Sequence, residues 1–132
     1  MRIELIITGD EVLRGAVLED NSAWMSRELF LAGLAPSRIT VLPDDMNTVA
    51  EGIASAIDRG GTVIVTGGLG PTVDDVTREA AIEALGGDTE ERPGILDTIM
   101  RRFEEAGLDM PDEYHRLSAV PVGSEVLENR RG

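Results

Sequence analysis

The order of elements along this chain predicts a three-layer α/β sandwich, an α/β/α arrangement around a mainly parallel sheet. Three observations point there. Short β-branched runs alternate with segments of helical periodicity, and glycine or proline punctuates nearly every junction. The intervals between successive runs are also long enough for a helix to return the chain for parallel pairing. At 132 residues with 42% hydrophobic content, residues 1–132 fit one compact unit with a single core.

Ile3 to Thr8 is a short, mainly apolar run closed by Gly9, the pattern of a buried first strand. Asp20 or Asn21 can cap a helix carrying Trp24, Met25, Leu29, Leu31 and Leu34, with Gly33 as its stop and Trp24 expected in the core. Arg38 to Leu42 is a second strand. Asn47 can cap the next helix, where Val49, Ile53 and Ile57 recur every four residues as one apolar stripe. Gly60 and Gly61 end it. Thr62 to Thr66 is almost wholly β-branched and runs into a glycine-rich turn, after which helix resumes from Arg78 to Leu85. A last helix, from about Pro93 to Ala106, carries Ile95, Leu96, Ile99 and Phe103 on one side and is expected to face the core. A short helix begins within Pro111 to Arg116, and His115 is expected to be exposed.

Formal charge is −13, and all twelve basic residues are arginine. A basic face for nucleic acid is therefore not expected. No cysteine is present, which excludes thiolate nucleophiles and cysteine-ligated metals. No run approaches the roughly 18–20 apolar residues of a membrane helix, and the acidic residues after MRIELIITG are wrong for a signal peptide, so a cytoplasmic chain without membrane partners is expected.

In an open parallel sheet, ligands gather beyond the carboxyl ends of the strands. The segment Gly67-Gly68-Leu69-Gly70-Pro71 lies at such an end. Its glycines allow positive φ and bring N–H groups close to an anion, while the following helix presents the positive end of its dipole. The spacing matches neither the dinucleotide fingerprint nor a P-loop. As a bare pattern it is equally a tight strand-to-helix turn in which Asp74 or Asp75 stabilises the helix N-terminus. The adjacent carboxylates Asp74 and Asp75 sharpen the choice, because they repel a phosphate unless they hold a hard cation. Asp44-Asp45 and Asp10-Glu11 also follow predicted strands, so parallel pairing would bring all three acidic pairs to one edge. Arg14, in the loop from Gly9 to Gly15, can meet a phosphate.

The string Gly67-Gly68-Leu69-Gly70-Pro71-Thr72-Val73-Asp74-Asp75-Val76-Thr77 resembles the signature of the molybdopterin-binding domain superfamily. The resemblance is to the N-terminal domain of the CinA (competence/damage-inducible) family in particular. Thr8-Gly9-Asp10-Glu11-Val12-Leu13-Arg14-Gly15, Asn21 and Asp44-Asp45 fall where that family has its further elements. The resemblance implies a MoaB/MogA-like fold and a nucleotide or pterin ligand, with homo-oligomeric assembly. Ligand contacts are implied along Gly67, Gly68, Leu69, Gly70, Pro71 and Thr72, at Thr77, and at Gly9, Glu11, Arg14 and Asn21.

Asp75 and Asp44 carry the important acids of the relatives that adenylylate molybdopterin. CinA-type domains are instead associated with metal-dependent ADP-ribose pyrophosphatase activity, which implies a divalent ion such as Mg²⁺, Mn²⁺ or Co²⁺ held by Asp74, Asp75 and Asp45. Asp74 and Leu69, where the molybdopterin enzymes usually have arginine and threonine, favour the CinA side. Three readings therefore stand: an ADP-ribose pyrophosphatase, a molybdopterin adenylyltransferase, or a non-catalytic ligand-binding or assembly domain. Beyond Val120-Pro121-Val122-Gly123 the family continues into pocket-closing segments, whereas this chain ends at Asn129-Arg130-Arg131-Gly132. It is accordingly expected to be a form shortened at its C-terminus.

Overall fold

A computed structural model describes residues 1–127. The expectation placed on Asn129-Arg130-Arg131-Gly132 lies outside the described residues.

The central strand β1 (Ile3–Thr8) is flanked by β2 (Arg38–Leu42) and β3 (Thr62–Thr66), both parallel to it, in the order β2-β1-β3. Ile7 pairs with Val41 on one side and Thr66 on the other, so the three strands end level at one rim. Between strands run α1 (Asp10–Leu13), α2 (Asn21–Leu31) and α3 (Met46–Asp58), and α4 (Thr77–Ala84) follows β3. The step from β1 to β2 and the return past β1 to β3 move in opposite directions across the sheet. With right-handed crossovers, α2 and α3 must lie on opposite faces. The predicted three-layer arrangement and all three strand boundaries hold.

Every residue of β1 is buried. On the α3 face, Ile6 packs with Val49, Ala50, Ile53, Ala56 and, from α4, Ala80. Burying a side chain such as Ile6 or Ile53 contributes roughly 1.5–3 kcal/mol. Gly52 lets α3 approach the sheet, because a Cβ there would stand 2.6 Å from Leu42 Cδ1. Val49 and Ile53 thus form the expected stripe, while Ile57 in the last turn is largely uncovered.

Three expectations need correction. Asp45, not Asn47, caps α3, because its carboxylate accepts from Thr48 N. At α2, neither Asp20 nor Asn21 supplies a side-chain cap; Glu19 does so by accepting from the amide and hydroxyl of Ser22. Trp24 is 63% exposed rather than buried. The half-buried side of α2 carries Met25 and Leu29, whereas Trp24 and Leu31, seven residues apart, share the outer side.

A second, two-stranded antiparallel sheet joins β4 (Thr89–Glu91) to β5 (Ala119–Pro121). Between them lie α5 (Pro93–Glu105) and a 3₁₀ helix (Asp112–Ser118). Neither strand is visible in the sequence reading, since one is the charged triplet TEE and the other ends in proline. No residue of α5 is fully buried, which corrects the expected core-facing role. The helix packs instead on the 3₁₀ segment, with Phe103 and Tyr114 edge to face at 5.0 Å. His115 is exposed as expected. Among the described residues, no helix is long and apolar enough to cross a membrane.

The end of the sheet opposite the rim is held by charge. Buried Glu4 accepts from Arg59 Nε at 2.9 Å and Arg59 Nη2 at 2.7 Å, with Arg2 Nε at 3.2 Å and Arg38 Nε at 3.9 Å. The Arg59 hydrogen bonds, then the charges of Arg59, Arg2 and Arg38, hold this carboxyl below its ordinary value of 4.5 against the opposing effect of burial. Lowering the native value means the stabilisation is complete above about pH 4.5 and drains away as pH falls through the depressed value. The urea midpoint, followed by circular dichroism, should therefore drop for the native chain on acidification below that point. Glu4→Gln should start lower at pH 7 and lose less over the same range; parallel curves would remove Glu4 from the acid response.

Candidate functional site at the carboxyl rim of the sheet

Two glycines let the turn after β3 lie against the end of β1. Gly67 has φ +94°, and a Cβ on it would stand 2.1 Å from the Thr8 carbonyl oxygen. Gly68 has φ +56°, and its Cβ would meet Thr77 Oγ1 at 2.7 Å. Beneath them the buried hydroxyls of Thr8 and Thr77 share a hydrogen bond of 2.9 Å. The loop closes where Thr77 N donates to Gly68 O at 3.2 Å, which sets the start of α4 beside the glycines. Among the described residues, no hydrogen bond engages the N–H groups of Gly67, Gly68 or Leu69. Free amides next to a helix N-terminus can receive an anion.

Asp44 joins this turn to the other two strand ends. Its Oδ2 accepts from Asp10 N and its own amide donates to Asp10 Oδ1, both at 3.1 Å, so the ends of β1 and β2 are clasped reciprocally. The other oxygen, Oδ1, is buried without a partner and lies 3.4 Å from where a Cβ on Gly68 would be. An unpaired buried carboxylate oxygen costs free energy until a donor or cation reaches it.

The remaining predicted residues divide. Asp75 does not project as an open ligand: its Oδ2 accepts from Thr72 Oγ1 at 2.6 Å and Thr72 N at 3.0 Å, bracing the loop from within. The Thr72 hydroxyl is the main reason this carboxyl sits below its ordinary value, although burial opposes it. Asp45 is committed to Thr48, whose hydroxyl and then amide lower its carboxyl in the same way. Asp74 is exposed. Among the described residues, no three histidine, aspartate or glutamate side chains converge as a metal cage. A divalent ion with mostly water and phosphate ligands needs fewer, and Asp44 Oδ1 is a buried carboxylate oxygen without a partner at the rim.

Thr77 is buried, its hydroxyl shared with that of Thr8. Arg14 pairs with Asp10 at 2.8 Å while its side chain stays largely exposed. The carboxylate of Glu11 folds over Gly9, 2.8 Å from where a Cβ would be. Leu69 and Thr72 are exposed, Gly70 and Pro71 half-buried, and Asn21 stands exposed at the first position of α2. The rim as a whole is acidic.

Two arginines escaped the sequence reading. Arg116, on the 3₁₀ helix, donates to the carbonyls of Thr72 at 2.6 Å, Asp75 at 3.1 Å and Pro71 at 3.2 Å. Arg78, on α4, donates back to the carbonyls of Arg116, Leu117 and Ala119. Their partners lie 38 to 45 residues away in sequence, so no local pattern marks them. An apolar cavity of about 520 Å³ between α5 and Val126-Leu127 includes no residue of the turn.

Comparison with known proteins agrees with this geometry. Residues 4–129 match the family described as "Probable molybdopterin binding domain". A CinA-like protein of Akkermansia muciniphila is 39% identical over the whole chain, which covers 32% of that protein. The chain spans about a third to a half of the curated relatives it matches. The crystal structure of the protein CinA from Thermoplasma acidophilum superposes with a TM-score of 0.86 at 26% identity, covering 99% of this chain and 76% of that one. The molybdopterin biosynthesis enzyme MoaB of Thermus thermophilus does so at 0.56 and 26%, covering 86% and 69%. With its glycine turn, its Asp44 clasp and a match over nearly its whole length, the chain belongs to the molybdopterin-binding domain family as a domain of the CinA N-terminal type.

Proposed function

We propose that the rim binds a pterin phosphate of the kind handled in molybdenum cofactor biosynthesis, with the phosphate on the Gly67-Gly68-Leu69 amides. The observation that carries this reading is the buried, unpartnered Asp44 Oδ1 beside Gly68. A pterin phosphate brings both classes of group, donors for a carboxylate that lacks one and an acceptor for amides that lack one. The likeness to MoaB, a molybdopterin biosynthesis enzyme, supports the same class of ligand.

A second reading is favoured by the exposed Asp74 and the acidic rim, which disfavour a bare polyanion. In that reading a divalent ion at Asp44 accompanies a nucleoside diphosphate sugar such as ADP-ribose. The ion would screen phosphate charge and activate water, while the turn amides hold the diphosphate in place.

Calorimetric titration with a pterin phosphate should show saturable binding. Asp44→Asn should weaken it by about 1.5–3 kcal/mol, roughly 10- to 150-fold, as a charge-assisted hydrogen bond is lost. Gly68→Ala should abolish it, because the new methyl group strains the backbone and strikes Thr77 Oγ1. Equal affinity in Asp44→Asn would overturn the assignment. Turnover of ADP-ribose should separate the second reading: activity with Mg²⁺, Mn²⁺ or Co²⁺ that chelation removes would favour it. Absence of product under all three ions would end it.

A further inference from the structure

We infer that Arg116 is the positioning residue of the ligand-binding turn, and that through it the second sheet and its helices set the affinity of the rim. A guanidinium has five N–H groups. Arg116 Nη1 reaches the carbonyls of Pro71 and Thr72, Nη2 reaches the Asp75 carbonyl and the Glu79 carboxylate at 2.7 Å, and Nε reaches Glu79 Oε1 at 3.2 Å. Four of its N–H groups are hydrogen-bonded and its charge is met by Glu79, so this side chain is committed to the protein. What it does is hold three carbonyls of the segment 71–75 in one orientation.

Those three peptide planes carry the N–H groups of Thr72, Val73 and Val76, directly downstream of the ligand-binding amides, and so fix the frame from which the turn is hung. Thr72 and Asp75 are tied to each other by the Asp75 carboxylate and by Asp75 N donating to Thr72 O, so fixing their carbonyls fixes the loop's C-terminal half. Gly68 O accepting from Thr77 N fixes the other end. Leu69 and Gly70 span the gap between these two anchors. Arg116 belongs to the 3₁₀ helix, and Arg78 holds that helix by two of its carbonyls and the start of β5 by that of Ala119, so the two arginines form a reciprocal latch between the turn and the α5 region. Only a planar fork serves several carbonyls from one side; a lysine ammonium in the same place cannot.

The geometric half of this inference stands on its own, and its effect on affinity rests on the ligand reading given above. Hydrogen exchange followed residue by residue tests the first half. In Arg116→Ala, the hydrogen-bonded amides of Thr72, Asp75 and Thr77 should exchange about tenfold faster or more, while those of β1 and α3 keep their native rates. Titration with ADP and with a pterin phosphate tests the second half, with an expected rise in Kd of roughly 10- to 100-fold for either probe that binds the native chain.

Arg116→Lys should behave like the alanine variant, and it carries the test if Arg116→Ala fails to fold. Full rescue by lysine, unchanged loop exchange, or acceleration spread evenly through β1 and α3 would overturn the positioning role. Should the native chain bind neither probe, the ligand reading fails while the exchange result still decides whether Arg116 orders the turn.

Discussion

Gly67 rests on the carbonyl of Thr8 so closely that no side chain fits between them, and one residue later Gly68 rests on the hydroxyl of Thr77. This close approach of backbone to strand end is the constraint on which the site depends. It requires positive φ at two successive residues, and it requires Thr8 and Thr77 to spend their hydroxyls on each other. In return, the amides of Gly67, Gly68 and Leu69 are left without a protein acceptor, next to the start of α4. The strand supplies position, the glycines supply access, and the hydroxyl pair keeps the floor polar but satisfied.

Electrostatics at the two ends of the sheet contrast. At the far end one buried carboxylate is surrounded by three arginines and is satisfied. At the rim, carboxylates outnumber the nearby cations, and each of those cations faces a carboxylate: Arg14 pairs with Asp10 while staying largely exposed, and Arg116 pairs with Glu79. The site is therefore not a simple anion sink. Its amides attract a phosphate while its acids select for a partner that also brings donors or a cation, which narrows the ligand more than a basic pocket would.

Much of this was legible in the residues. The β-branched run before the turn and the glycines within it mark a strand ending in backbone of unusual shape, because glycine is the residue for which such shape costs least. Acids directly after two strands mark a shared edge once the strands are parallel, and Asp44 sits there. Sequence could not say which carboxylate is spent on structure. Asp45 and Asp75 each have a threonine three residues away that captures them, a local pairing visible only once the backbone bends. Arg116 and Arg78 were hidden for a different reason, since their partners are carbonyls remote in the chain. The apolar residues of α2 marked a helix that packs on the sheet but not which of them the sheet would cover, and Trp24 stays in the uncovered set.

That uncovered set contains Trp24, the single tryptophan of the chain. An indole that is already in contact with water in the native state has little left to gain in hydration when the chain opens. Emission from this residue will consequently be a dull reporter of folding but a sensitive one of anything that settles onto the outer side of α2, whether another polypeptide or a further part of the same one.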